Sequence, residues 1–501
     1  MQISSLLIVE SPTIATIIDG FRLPGVEVVA TAGYSWKPKP DFSKGTLKGT
    51  ASPKLLPFRN RIRSAAARAS RVILATDTDP SGEFIASCLA GELKNRQIFR
   101  GYLNLLSPQG VTSSIEQANP YQPGATHALL NRLYINAKLL PRLPPFISRS
   151  ARAEPSGIKY SPLSVALGIL ALYPFFLSQR GFTRFIADQV HYVSDRPVPA
   201  VYGSEITTGI VSGDPDFYHV IRPWNTGKFI SSYSSYNKSV YQTGHFKRVQ
   251  NTLNRLFTTI YDETGSGLIT YPRTHAAGYY RATWQQEYER LIRFNQAEAI
   301  LPVTLWSITP DESAHEGLRP LNMGIAPPDI RPLVRKNIFD AYSLLFESTS
   351  AAFRQPEKSN TPVYTDNNGH LITIDPFPAG MTRNRNLFSS SDRSQPYSES
   401  KLLTAVSSLD DLTEYLSLNA LMPASATGST LDTLISDGWI NISGNDVLPG
   451  YQMEKLPALI NKTDDVLHLL QLLNDKLSLA EHPAELDDLI NRMTSLTTSD
   501  F

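Results

Sequence analysis

Cysteine is nearly missing from this chain: Cys88 stands alone among 501 residues. A single thiol excludes an internal disulfide and a cysteine-based zinc site, and it suits a reducing, cytoplasmic setting. Long apolar runs are missing as well. The longest, from Val165 to Leu177, falls short of the roughly 20 residues a spanning helix needs and reads as a buried helix, so no membrane role is expected. The opening MQISSLLIVESP has no basic lead-in and is interrupted by Glu10, which makes it a first strand and not a signal peptide. No GxxxxGK[ST] loop is present to cradle a nucleoside triphosphate. Net charge is also missing, at +1, so the total says nothing about nucleic acid.

The distribution of charge says more. The tract from Lys37 to Arg71 carries Lys37, Lys39, Lys44, Lys48, Lys54 and five arginines against one acid, Asp41. A one-sided basic tract is what a phosphate-binding surface requires, although a solvated basic helix and loop has the same composition.

The length predicts several domains, and the opening segment predicts α/β architecture. SLLIVE, VEVVATAGY and RVILATD read as strands. They alternate with helices over Thr13–Phe21, Phe58–Ser70 and from Gly82 onward, the pattern of a parallel, doubly wound sheet. Functional groups in such sheets gather at the carboxyl ends of strands. Glu10, Gly33, Asp77 and Asp79 all fall there. Helical text follows, then strand-rich text from about Phe185, a second helical region from about Thr243, strands around an Asn367-Asn368-Gly369 turn, and helices from Leu402. This near-palindromic order implies that segments leave and re-enter the same domains.

Two segments carry chemistry. In LATDTDPSGE, Asp77 and Asp79 follow an apolar strand, and Glu10 closes another, a costly place for a charge without a partner. Three such acids suffice for a hard cation such as Mg²⁺. An isolated Asp-x-Asp reads first as a cap for the helix near Gly82, and it is the strand-terminal Glu10 that turns the reading to a metal site. GSGLITYPRTHA holds Tyr271 and Arg273. A tyrosine hydroxyl needs neighbouring positive charge or a base to attack, and a guanidinium can hold a phosphate beside it. DESAHEGLRP adds His315, Glu316 and Arg319 as groups for binding phosphate or orienting the nucleophile.

Taken together and in order, LLIVESPTIATII, VVATAGYSWKPKP, VILATDTDPSGEFIA, GLITYPRTHA and SAHEGLRP resemble the type IA DNA topoisomerases. LNRLYINAKLLP, YSPLSVALGIL and ASATGSTLDTLISDGWI add weaker likeness, and the resemblance ends without the zinc-ribbon repeats many relatives carry. It implies a multidomain α/β plus α and β protein, a Toprim domain with a toroidal core: Toprim over 1–120, a helical DNA-binding domain over 121–190 and 400–501, a β-rich arch over 191–238 and 356–399, and a helical domain over 239–355 carrying Tyr271. It further implies a monomer at the nucleoid that relaxes negative supercoils without ATP. In that scheme Tyr271 forms a 5′-phosphotyrosine with single-stranded DNA, Glu10 is general acid or base, and Asp77 and Asp79 with Glu10 hold Mg²⁺. Arg273 and His315 stabilise charge, while Arg319, Glu316, Lys37, Lys39 and Ser425 contact DNA.

The departures from that family all fall near the chemistry. Ile14 replaces a lysine, Pro80 a basic residue, Ser81 the third acid, His275 an aspartate and Tyr34 a histidine. Lys159, Arg149 or Arg152 would have to restore the charge, and Glu83 the acid. The alternative is therefore a catalytically weakened relative that acts as a single-stranded DNA-binding accessory protein. A nuclease or primase built on the same acids would have no use for the tyrosine segment.

Overall fold

The computed structural model describes residues 4–33, 35–77, 79–122, 126–152, 161–178, 183–187, 190–194, 222–236, 244–260, 267–294, 306–309, 313, 315–353, 363–365, 371–374, 407–418, 423–456, 468–470, 472–473, 476–477 and 479–497. Tyr34 and Lys159, expected to bear on the site, lie outside these residues, as do most of the expected arch segments.

The opening segment is the expected parallel sheet. Its strands are β1 (Ser5–Val9), β2 (Val26–Ala30), β5 (Arg71–Leu74), β6 (Ile98–Arg100) and β7 (Asn119–Pro120), in the order β2-β1-β5-β6-β7. All pairings are parallel except that of β7. Side chains alternate across the sheet. Leu7, Val9 and Ile73 enter a large core on one face, and Leu6, Ile8, Val72 and Leu74 enter a second core on the other. α2 (Leu56–Arg68) and α3 (Pro80–Glu92) close that second face through Ile62, Ala65, Phe84 and Ile85. α1 (Pro12–Gly20) begins where Ser11 caps the Ile14 N–H and proline takes the first turn, a position that needs no backbone donor.

Chain order reverses direction at β1. It moves outward to β2 and then returns to the opposite side of β1 as β5, so the β1–β5 junction is a topological switch point with a crevice at the strands' carboxyl ends. Glu10 and Asp77 flank that crevice.

The basic tract departs from the helix-and-loop reading. Its first half is an antiparallel hairpin, β3 (Trp36–Asp41) with β4 (Thr46–Ala51). Pro38 and Pro40 argue against a strand in sequence. In a two-stranded ladder, however, alternate N–H groups face away from the partner, and prolines two apart can occupy those positions without losing a bond.

Beyond the sheet, α4 (Pro108–Glu116), α5 (His127–Leu139) and α6 (Pro145–Arg152) lead to α7 (Ser161–Ser178), which is buried along its described side chains as its apolar run predicts. No helix among the described residues is long and apolar enough to cross a membrane. β8 (Thr183–Ala187) and β9 (Val190–Ser194) share one antiparallel sheet with Val363–Thr365 and Leu371–Ile374, so distant segments re-enter one unit. Val363–Thr365 and Leu371–Ile374 bracket the predicted Asn367-Asn368-Gly369 turn, which itself lies outside the described residues. α8 (Thr226–Tyr236) and α9 (His245–Thr258) precede the tyrosine segment. The C-terminal part is not wholly helical: Ser407–Ser408, Ile440–Ser443 and Asp446–Pro449 make a three-stranded sheet.

α3 starts tightly beneath the Asp77 turn. A Cβ on Gly82 would lie 1.9 Å from the Asp77 carbonyl oxygen, whereas one on Gly91, late in the same helix, would meet nothing within 4 Å. Gly82→Ala should therefore lower the urea midpoint markedly, and Gly91→Ala should raise stability by about 0.5 kcal/mol through helix propensity. Equal effects of the two substitutions on the unfolding curve would contradict this packing.

Candidate active site

Two strand ends supply the acids. The Asp77 N–H donates to Glu10 Oε1 at 3.0 Å, tying the turn after β5 to the end of β1. Asp79 Oδ1 accepts the Ser81 and Gly82 N–H groups at 2.9 Å each, so the second acid of the Asp-x-Asp pair caps α3. Burial, then the Asp77 and Asp79 carboxylates, push Glu10 up to about 8. Burial and Asp77 also raise Asp79.

The tyrosine segment is laid against these turns by backbone pairing. Ile269 bridges Pro320 antiparallel, and Thr270 exchanges bonds with Arg319 and Gly317, so GLITYPRTHA and SAHEGLRP form one two-ply element. Thr226, the first residue of α8, locks the far side: its hydroxyl donates to the Pro272 carbonyl and accepts the Thr274 N–H. Across the seam to the sheet, Gly267 N–H donates to Leu106 O and Tyr271 N–H to Asn104 O. Arg273 Nη1 donates to Asp77 Oδ2 at 2.8 Å.

Tyr271 is only 8% exposed. Its ring stacks on His315, with centroids 4.1 Å apart, and meets the edge of Phe257. Burial first, then the Asp77 carboxylate and a hydrogen bond to it, hold the Tyr271 proton well above the usual value, with Arg273 opposing. A small pocket joins the parts. Glu10, Ile14, Asp77, Phe257, Tyr271 and His315 all line it. Burial and the Arg100 and Arg273 cations depress His315 to about 3, so its imidazole is neutral at physiological pH. In that form Nδ1–H donates to Asn104 Oδ1 at 2.6 Å. His315 can therefore orient Tyr271 but carries no charge to offer a phosphate.

Sequence reasoning missed Arg100 and Asn104. Arg100, at the end of β6, donates to Glu83 Oε1 through Nε and Nη2, to the Leu74 and Gly101 carbonyls through Nη1, and to the Asp77 carbonyl through Nη2. It is the brace of the Asp77 turn. Glu83, considered as a replacement acid, is committed to this buried pair. Arg149 is exposed on α6, and the Arg152 side chain lies outside the described residues.

Glu316 and Arg319, expected to contact DNA, are instead 1% exposed and paired with each other at 2.8 Å. Glu316 also accepts from Tyr280 N–H, and the Arg319 guanidinium lies 5.2 Å from the Trp284 ring centroid. Their charges hold the tyrosine segment's backing together and have no route to a ligand. Lys37 and Lys39 are exposed on β3. Ser425 is exposed beside Ala424, whose N–H donates to His275 Nε2 at 3.0 Å, so the turn carrying Ser425 is fastened to the tyrosine segment.

Glu10, Asp77 and Asp79 lie together, and they are the residues that would hold a Mg²⁺ ion. One oxygen of each is already committed, to a backbone N–H, to Arg273 and to the α3 cap respectively, and Ser81 brings no carboxylate. As they stand, no three His, Cys, Asp or Glu side chains among the described residues are gathered so as to hold a metal ion.

Residues 5–106 match the model of the Toprim domain, so the chain carries one. The whole chain has the fold of a topoisomerase I. Full-length topoisomerase I from Thermotoga maritima is similar over 98% of this chain and 90% of its own, at 16% identity and a TM-score of 0.63. No curated protein matches the chain.

Arg319→Met leaves Glu316 buried without its partner and should destabilise the fold by about 3–5 kcal/mol. At temperatures where the variant stays folded, its affinity for an oligonucleotide should be unchanged. Weakened binding with full stability in denaturant titration would mean that Arg319 touches DNA after all.

Proposed function

We propose that the chain is a type IA DNA topoisomerase that cuts single-stranded DNA through Tyr271, passes a strand through the break and reseals it without ATP. The observation that carries this reading is one pocket lined by a buried tyrosine, an acid that keeps its proton at neutral pH, and a carboxylate tied to an arginine.

In the cleavage step the Tyr271 oxygen attacks the phosphorus and the bond from phosphorus to the 3′ oxygen breaks. Asp77, facing the hydroxyl, accepts the tyrosine proton. Glu10, protonated up to about 8, gives its proton to the departing 3′ oxygen. Arg273 spends Nη1 on Asp77, and its fork has further N–H donors for a phosphate oxygen. His315, stacked on the ring, fixes where the oxygen points. The phosphotyrosine conserves the energy of the broken bond, so resealing needs no nucleotide. Lys37, Lys39 and Ser425 are the exposed candidates for contact with the DNA strand.

The departures support the second reading, a weakened single-stranded DNA-binding accessory. Ile14 puts an apolar wall in the pocket where the family has a lysine, and loss of one charged transition-state contact costs about a hundred- to thousandfold in rate. The two readings part at Tyr271→Phe. With a 3′-labelled oligonucleotide and a denaturant quench, the parent should carry label on the protein and the variant none, while both bind the oligonucleotide equally. Label retained in the variant, or missing from the parent despite binding, would refute the enzyme reading.

Glu10 also sets a pH dependence. Its ordinary value is 4.5 and its folded value about 8, so the folded state holds the extra proton across that window and loses stability as pH rises through it. Glu10→Gln removes this loss. Its stability relative to the parent should climb between pH 4.5 and about 8 and level off above, and parent cleavage should fall above pH 8. A flat difference across the window in paired denaturation curves would contradict the assignment.

A further inference from the structure

We propose that Asn104 is a positioning residue for the nucleophile: its side chain fixes the His315 ring as the Nδ1–H tautomer, and that ring holds the Tyr271 ring in place. This role rests on the tyrosine chemistry proposed above and belongs to a residue outside the reacting groups.

Two contacts from one residue carry it. Asn104 follows β6 on the sheet side of the seam, and its backbone carbonyl accepts the Tyr271 N–H at 3.2 Å. Its side-chain oxygen lies 2.6 Å from His315 Nδ1. Asn104 thus grips the backbone of the nucleophile directly and its ring through His315, whose plane is tilted only 23° from that of Tyr271.

Stacking alone would not settle the imidazole. A flat ring stacks equally well after a half-turn about its bond to the backbone side, which exchanges Nδ1 for a carbon. The amide oxygen of Asn104 removes that freedom. It has lone pairs and no proton, so the ring nitrogen facing it must be the one that carries hydrogen. The rest of His315 is held as well, since its carbonyl accepts from the Ser313 hydroxyl at 2.8 Å and from the Thr274 hydroxyl at 3.5 Å. Thr274 belongs to the tyrosine segment itself, so backbone and ring of His315 are fastened on opposite sides of the seam. Attack on phosphorus needs the phenol oxygen in line, and a misplacement of about 1 Å costs about a hundredfold in rate. A bond that sets the ring on which Tyr271 rests therefore acts on the rate of cleavage and not on the binding of DNA.

The test reads the ring before it reads the reaction. In intact protein carrying isotopically labelled histidine, nitrogen NMR identifies His315 by the signals missing from His315→Gln, among the nine histidines of the chain. The ring proton should sit on Nδ1 in the parent and in Asn104→Asp, which keeps an acceptor oxygen, and should leave Nδ1 in Asn104→Leu, which has none. Adduct formation on a saturating single-stranded oligonucleotide should fall about ten- to hundredfold in Asn104→Leu with the dissociation constant unchanged, and Asn104→Asp should recover most of the loss. A proton on Nε2 in the parent would overturn the proposal. So would adduct formation in Asn104→Leu at the rate of the parent, or in Asn104→Asp no faster than in Asn104→Leu. Should Asn104→Leu fail to fold, the spectra of the parent and of Asn104→Asp decide alone. A parent that binds the oligonucleotide and forms no adduct would count against the tyrosine chemistry instead, and the spectra would still decide the tautomer.

Discussion

The ion pair between Asp77 and Arg273 joins segments 196 residues apart and holds the candidate nucleophile against the sheet. Arg273 is 37% exposed, so as a surface pair its own contribution to stability is small. Its importance lies in where it sits. Beside it, Tyr271 and Gly267 donate backbone N–H groups to Asn104 and Leu106 across the same seam. Together these bonds fix where Tyr271 sits relative to the strand ends. Apolar packing crosses the seam as well: Leu7, Ile73, Leu103 and Leu106 on the sheet side share one core with Phe257, Ile269, Tyr271, Tyr279 and Trp284.

Charge around the pocket follows one logic. Burial of Glu10 at a strand end, and then the Asp77 and Asp79 carboxylates crowded beside it, keep a proton on it up to about 8. Arg273 opposes this, and burial together with the Arg100 and Arg273 cations keeps His315 neutral. An acid that holds its proton, a neutral ring stacked on Tyr271 and an arginine tied to Asp77 thus meet in one cluster. Ile14 lines the pocket with an apolar wall, and Arg100, braced on four groups, is the buried cation beside it.

Much of this was legible from sequence. SLLIVE and RVILATD are apolar runs that only a buried strand satisfies, and the residues that end them had to be special because charges there are expensive. The tyrosine segment stood out because Tyr271 and Arg273 share a short glycine-led run. Other parts left no usable signal. The β3–β4 hairpin was obscured by Pro38 and Pro40, whose fit depends on pairing register. β6 is three residues long, so Arg100 looked like any surface arginine. Glu316 and Arg319 are three apart in a polar loop, and nothing local reveals that Trp284 lies against the Arg319 guanidinium. The Ile440–Pro449 hairpin did leave a signal, alternation around Gly444, which takes the left-handed conformation the turn needs (φ 65°).

The most direct test of the account is where the DNA becomes attached. Adduct trimmed with nuclease and trypsin should yield the peptide from Leu256 to Arg273 heavier by a 5′-linked nucleotide, and fragment masses should place the addition on Tyr271 and not on Tyr261. A nucleotide on Tyr261, or on any peptide outside this segment, would contradict the account at its centre.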